Sequence, residues 1–285
     1  MEFSMKKLYT LGLYEKALPI DLSWEEKLKV AKESGYDFLE MSIDETEEKM
    51  ARLDMSEIER LQLFCTAKKV GLPIRSLCLS CHRKYPFGSK SVMTRNKALE
   101  LMEKAVVLAE GFGIRQIQLA GYDVFYEESD EQTKQYFLKN IKKAAEIAAR
   151  SGVLLGFETM DTECMDTVEK ALFYINQIRS PYMQIYPDLG NLANTAVRDH
   201  TDMWEDLKKG EGHIVALHLK ETLPGIYRNV PFGKGHVDFE KGIQLTWNMG
   251  VRRFVTEFWD TGKKDWADDV VDAADRMRKI LDRQR

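Results

Sequence analysis

Eight short apolar runs alternate along the chain with eight stretches of helical periodicity, and that alternation leaves few folds open. The runs predict strands over 8–13, 38–43, 74–80, 114–120, 153–158, 183–188, 214–218 and 254–257. Helices are expected over 23–35, 56–70, 92–110, 130–149, 167–178, 201–209, 239–249 and 265–282. Local signals mark several boundaries. Ser23 and Glu26 form the Ser-x-x-Glu pattern of a capping box, and Gly35 and Gly71 are suited to helix C-termini. Regular strand–helix alternation implies a parallel sheet with right-handed crossovers. Eight repeats in 285 residues is the count of an α/β (β/α)8, or TIM, barrel, read as a single domain over 1–285. A doubly wound open sheet is the alternative. No Gly-x-Gly-x-x-Gly follows the first strand, so a dinucleotide site is unsupported.

Four of the predicted strands end in a polar residue capable of binding a metal: Glu158, Asp188, His218 and Glu257. Their separations of 30, 30 and 39 residues are about one βαβ repeat each. Parallel strands in phase bring all four side chains to the same rim of the sheet, which in a barrel is the C-terminal rim that carries active sites. Three carboxylates and an imidazole make a mixed oxygen–nitrogen site for a divalent cation.

The bulk composition narrows the remaining possibilities. Forty-two Lys and Arg against 46 Asp and Glu leave a net charge of −4, which gives no general attraction to nucleic acid or to an anionic membrane. No apolar stretch approaches membrane-spanning length. The first seven residues lack the apolar segment of a signal peptide. Cys78 and Cys81 lie three apart on or beside a predicted strand and so point to opposite faces. With no second Cys-x-x-Cys, they read as reduced thiols of a cytoplasmic protein.

A rim metal flanked by carboxylates suits proton transfer beside a ketose carbonyl. Glu158 and Glu257 lie on strands three apart, so they are expected on opposite faces of a bound sugar, one removing a proton and the other returning one. Basic residues near the same rim suggest a phosphate on that sugar. Arg228, Lys234 and His236 lie in the loop after the seventh strand, with Lys220 at its start, and His82 opens a second basic cluster after the third. Ordinary solvated loops are the competing reading. Asn191 is placed to contact the sugar. Glu40 is placed either to hold a substrate hydroxyl or to make a structural hydrogen bond.

At these residues the chain resembles a known family. The segments 8–18 (LYTLGLYEKAL), 76–82 (SLCLSCH), 156–161 (GFETMD), 187–191 (PDLGN), 218–222 (HLKET), 229–239 (NVPFGKGHVDF) and 256–259 (TEFW) are similar to those of the L-ribulose-5-phosphate 3-epimerases, also called L-xylulose-5-phosphate 3-epimerases. These are xylose-isomerase-like barrels. The resemblance covers almost the whole chain, with residues 1–5 as a variable extension. It implies interconversion of L-ribulose 5-phosphate and L-xylulose 5-phosphate in L-ascorbate or related pentose catabolism. It also implies Glu158, Asp188, His218 and Glu257 as metal ligands, Glu158 and Glu257 as the acid–base pair, and zinc as the metal, with manganese or magnesium as alternatives. A homodimer is expected, since related barrels are usually dimeric. Three rivals are another sugar-phosphate isomerase such as a hexulose-6-phosphate isomerase, a 3-epimerase of unphosphorylated ketoses, and a non-catalytic sugar-phosphate binder. An apurinic-site endonuclease shares the barrel but needs many His ligands, and this chain has five His.

Overall fold

A computed structural model of the protein describes residues 8–284; the extension expected over 1–5 and the N-terminal stretch read for a signal lie outside them. The strands are β1 (Thr10–Tyr14), β2 (Phe38–Ile43), β3 (Ile74–Leu79), β4 (Gln116–Ala120), β5 (Leu154–Glu158), β6 (Met183–Ile185), β7 (Leu217–Leu219) and β8 (Arg253–Thr256). They form one parallel sheet in the order β6-β5-β4-β3-β2-β1-β8-β7. Between its two outer strands the circle closes through isolated bridges. The Ile185 amide donates to the His213 carbonyl at 2.9 Å, Val215 to Ile185 at 3.0 Å, and His218 to Pro187 at 2.9 Å. The result is the expected eight-stranded barrel.

The described residues carry ten α-helices around it: α1 (Trp24–Glu33), α2 (Glu47–Ala51), α3 (Glu57–Val70), α4 (Val92–Phe112), α5 (Glu131–Arg150), α6 (Val168–Ile178), α7 (Leu189–Asp199), α8 (Met203–Lys209), α9 (Phe239–Asn248) and α10 (Trp266–Leu281). Two of these, α2 and α7, are absent from the sequence reading. Helix α7 is the consequential one. Its first turn holds Gly190 and Asn191, both weak helix formers, which disguise it as a loop. Asp188 starts it nevertheless, its side chain accepting the Asn191 amide at 2.6 Å. The capping boxes of α1 (Ser23, Glu26) and α3 (Ser56, Glu59) are both formed.

Alternation along the strands sorts side chains into two cores. Leu11, Leu13, Leu39, Met41, Leu77, Leu79, Ile117, Leu119, Leu155 and Phe157 belong to the large layer that packs with the helices. Tyr14, Phe38, Cys78, Tyr186, Ala216 and Val255 form a separate cluster inside the barrel. Bulk there requires small neighbours: a Cβ on Gly12 would lie 2.4 Å from the Phe38 ring, and one on Gly156 would lie 2.8 Å from Tyr186 Cβ. The barrel interior is therefore filled, and a substrate has access only at its mouth.

One carboxylate ties the first βα connection together. Glu15, immediately after β1, is buried and accepts from Lys27 at 3.1 Å, Lys49 at 2.7 Å, both terminal nitrogens of Arg52 at 2.5 and 2.9 Å, and the Ser42 amide at 3.0 Å. Burial alone would raise its pKa, but Arg52, Lys49 and Lys27 bring it down from the ordinary 4.5 to about 2. A depressed carboxylate contributes stability that is complete above its unfolded pKa and lost as pH falls through its folded one. Glu15→Gln leaves three cations facing a neutral amide and is expected to cost about 3–5 kcal/mol in urea denaturation at pH 7. Below pH 4.5 the wild-type stability should fall more steeply than that of the variant. Parallel pH profiles would show that the cluster does not stabilise the fold.

Candidate metal centre and the rim cleft

The four strand-end residues converge. Glu158 is the last residue of β5, Asp188 caps α7, His218 is central in β7, and Glu257 follows β8. Each offers one ligand atom, these atoms lie within 4.8 Å of one another, and all four residues are buried. His218 Nδ1 is 3.0 Å from Glu257 Oε2 and 3.7 Å from Glu158 Oε1. Lys220, two residues on from His218 along the chain, reaches the same cluster. Its Nζ donates to Asn191 Oδ1 at 2.8 Å and lies 3.2 Å from Asp188 Oδ1 and 3.6 Å from Glu257 Oε2.

Charge separates the two glutamates. Burial and the nearby Glu257 raise the Glu158 pKa. Burial acts the same way on Glu257, but Lys220 and His218 outweigh it and hold that carboxyl below its usual range. Burial, reinforced by Glu257 and Glu158, pushes Asp188 well up against the pull of Lys220. Burial disfavours the charged form of Lys220, yet Asp188, Glu257 and Glu158 raise its pKa and keep it protonated. The cluster fits a divalent cation on two counts. It holds three buried carboxylates, and Asp188 Oδ2 is buried with no hydrogen-bond partner. An orphaned carboxylate oxygen in a dry site is costly unless a cation faces it.

The mouth above this cluster is a narrow cleft of about 60 Å³. Glu158, Glu257, Asn191 and Lys220 line it, with Tyr14, Tyr227 and Trp259 as aromatic walls and Lys16, Arg83 and Arg228 as further cations. A larger groove of about 590 Å³ lies elsewhere, lined by residues of α5 and α6, and contains none of the four cluster residues.

Of the residues expected to contact substrate, Asn191, Lys220 and Arg228 line the cleft. Glu40 does not: it is fully buried, with Oε1 2.7 Å from His218 Nε2. His82 is also turned away, stacked on Phe87 with ring centroids 4.1 Å apart and Nε2 3.1 Å from the Ala98 carbonyl oxygen. Its apolar surroundings pull its pKa down to about 4. Lys234 is exposed and lies outside the cleft, and His236 Nε2 pairs with the Thr222 hydroxyl at 3.0 Å. The loop after β7 folds instead around Glu221, which accepts the amides of Gly233 at 3.0 Å and Val237 at 3.2 Å. The Gly233 and Val237 amides are thus committed to a buried acidic side chain.

Lys16, Tyr14 and Gln118 carry no role in the sequence analysis, whereas Arg83 belongs to the basic cluster that His82 opens. Gln118 had a visible signal. The pattern Gln116-Ile117-Gln118-Leu119 alternates polar and apolar in a strand whose residues are all buried, which marks a polar face inside the barrel.

Residues 28–280 match the family model described as xylose isomerase-like TIM barrel. The chain is 43% identical over 275 residues to L-ribulose-5-phosphate 3-epimerase UlaE of Shigella boydii, an alignment covering 96% of this chain and 95% of that one. The same identity and coverage relate it to the UlaE protein of Escherichia coli. Among solved structures, 3-keto-D-glucoside 4-epimerase from Escherichia coli superposes with a TM-score of 0.76 at 18% identity, covering 95% of this chain and 99% of that one. D-psicose 3-epimerase from Clostridium cellulolyticum does so at 0.78 and 15%, with the same coverage. Identities this low speak to the fold alone. The curated relatives speak to descent along nearly the full length of both chains, and the chain belongs to the L-ribulose-5-phosphate 3-epimerase family of xylose isomerase-like TIM barrels.

Proposed function

We propose that the protein is a divalent-metal-dependent 3-epimerase that interconverts L-ribulose 5-phosphate and L-xylulose 5-phosphate, serving L-ascorbate and related pentose catabolism. The observation that carries this reading is the buried tetrad: two glutamates from strands three apart meet an aspartate and a histidine at the barrel mouth. Glu158, Asp188, His218 and Glu257 would hold the ion. When bound, a divalent cation supplies Lewis-acid charge beside the ketose carbonyl and makes the adjacent C–H more acidic. Zinc is the ion proposed for the site; three carboxylates and one imidazole also accommodate manganese or magnesium.

The remaining chemistry belongs to the side chains. Glu257, whose carboxyl Lys220 and His218 hold below its usual range, is taken as the base, and Glu158, whose pKa burial and Glu257 raise, as the proton donor. One glutamate takes the C3 proton from one face, leaving an enediolate. The other delivers a proton to the opposite face, so C3 inverts and the proton count is unchanged. Run in reverse, the two exchange roles. Protonated Lys220, fixed by Asn191 and Asp188, offers a positive charge to a substrate oxygen.

The phosphate end is assigned to Arg228 and Arg83. Arg228 stacks on Trp259 at 5.0 Å, and no ion pair engages it among the described residues. Arg83 sits over Phe125 at 4.5 Å, has a buried Nε without a partner, and lies 3.7 Å from Glu45 through Nη1. Lys16 is partly committed to Asp44. A cytoplasmic homodimer is the assembly and location that family membership supports, and sedimentation of the purified protein reads the assembly directly.

The deciding experiment is NMR of L-ribulose 5-phosphate with the enzyme in D2O. Deuterium should enter at C3 as L-xylulose 5-phosphate appears, and a chelator should abolish both until metal is restored. Entry at C1 instead would identify an aldose–ketose isomerase. Restoring zinc, manganese and magnesium separately ranks the ions. Glu158→Gln and Glu257→Gln should each lower kcat by at least about 10²-fold with the fold intact by circular dichroism; near-normal turnover in either would end the two-base mechanism. Arg228→Ala should raise KM roughly 10-fold or more with little change in kcat, the loss of one charge-assisted hydrogen bond, while Lys234→Ala should leave both constants near wild type.

A further inference from the structure

Glu40 lies below the tetrad and out of reach of substrate, yet both of its carboxylate oxygens are engaged. Its Oε2 accepts from the Ser76 hydroxyl at 2.7 Å and the Tyr186 hydroxyl at 3.0 Å, and its Oε1 lies 2.7 Å from His218 Nε2. It is fully buried and contributed by β2, on the far side of the sheet order from β6, which leads into Asp188. A hydrogen bond in which the Glu40 carboxylate accepts puts the proton on Nε2. A neutral imidazole with hydrogen on Nε2 has a bare lone pair on Nδ1. That lone pair faces the Glu158 and Glu257 carboxylates at 3.7 and 3.0 Å, the side on which a cation would sit; with no cation there, a proton on Nδ1 donated to Glu257 fills the same place.

The other polar group at the ring does not decide the tautomer. Gln118 Nε2 is 2.9 Å from Nδ1 and 3.3 Å from Nε2. An atom nearly equidistant from both nitrogens lies along neither lone pair. The Tyr186 ring, edge-on to the imidazole at 4.8 Å between centroids, restrains its plane but carries no proton preference.

We propose that Glu40 is a positioning residue for the metal: its hydrogen bond to Nε2 holds His218 in the tautomer and orientation that present Nδ1 to Glu158, Asp188 and Glu257. Ser76 and Tyr186 hold Glu40 in turn, so the chain of contacts runs from β3 and the end of β6 through β2 to the ligand on β7. This inference rests on the tetrad being the metal centre, and the test separates the two claims.

Metal-free wild type, Glu40→Gln and His218→Gln are titrated with Co2+, and affinity is read from the visible absorption band in competition with a chelator. Glu40→Gln should bind about 10- to 100-fold more weakly, the usual cost of losing the partner of a ligating histidine. A purely structural role would shift the melting temperature of the metal-free protein and leave affinity unchanged. Wild-type affinity in Glu40→Gln together with loss of binding in His218→Gln overturns the proposal alone. Wild-type affinity in both overturns the metal centre as well. Should Glu40→Gln fail to fold, the wild-type protein still decides. Nitrogen-15 NMR of the histidine-labelled, Cd2+-loaded protein should show His218 protonated at Nε2 with cadmium coupling at Nδ1. Coupling at Nε2 would refute the assignment.

Discussion

Like charge held out of water is the constraint on which the mouth of this barrel depends. Glu158, Asp188 and Glu257 are buried within one cluster, with Glu40 bonded to the same histidine from below. Two unit charges 4 Å apart interact by about 4 kcal/mol even at an effective dielectric of 20. The arrangement persists only because each carboxylate has a partner or shares a proton. Lys220 supplies one positive charge to Asp188 and Glu257, and Ser76 and Tyr186 satisfy Glu40. A divalent ion would supply the rest. The same balance that makes the cluster tolerable also drives the two glutamate pKa values apart.

Much of this was legible in the chain. The barrel followed from counting repeats, and the position of the tetrad followed from phase, because side-chain alternation along parallel strands is a strict geometric rule. Glu158 and Glu257 needed nothing more than that rule. The role of Glu40 was not legible. The rule placed it inside the barrel, but its partner is 178 residues away on β7, and only the closed circle of strands brings them together. Helix α7 was missed for a related reason. Its stability comes from the Asp188 cap and the burial of Leu189 and Leu192, not from local propensity.

The loops were the least readable part. Basic residues in rim loops were taken as an anion site by sequence position, but position in a loop does not fix direction. His82 turned into the packing against Phe87, and Lys234 was left exposed where its loop folds around Glu221. The cations that do line the cleft are held by neighbours from other segments. Lys16 projects from the connection that Glu15 anchors, and the Arg83 and Arg228 guanidinium groups sit over the Phe125 and Trp259 rings, with Arg83 also 3.7 Å from Glu45.

Between Ile185 and His218 the barrel is joined by isolated bridges in place of a continuous ladder, and Asp188 and His218 face each other across that joint. The circle of strands is thus fastened most lightly where half of the tetrad sits. Thermal opening of the barrel, when it occurs, has its natural starting point at this seam, and amide exchange along β6 and β7 reports on both the fold and the chemistry. Substitutions at Asp188 and His218 therefore differ in kind from those at Glu158 and Glu257. The former loosen a joint of the scaffold as well as removing a member of the tetrad, whereas the latter lie on strand ends whose ladders are already secured by their neighbours.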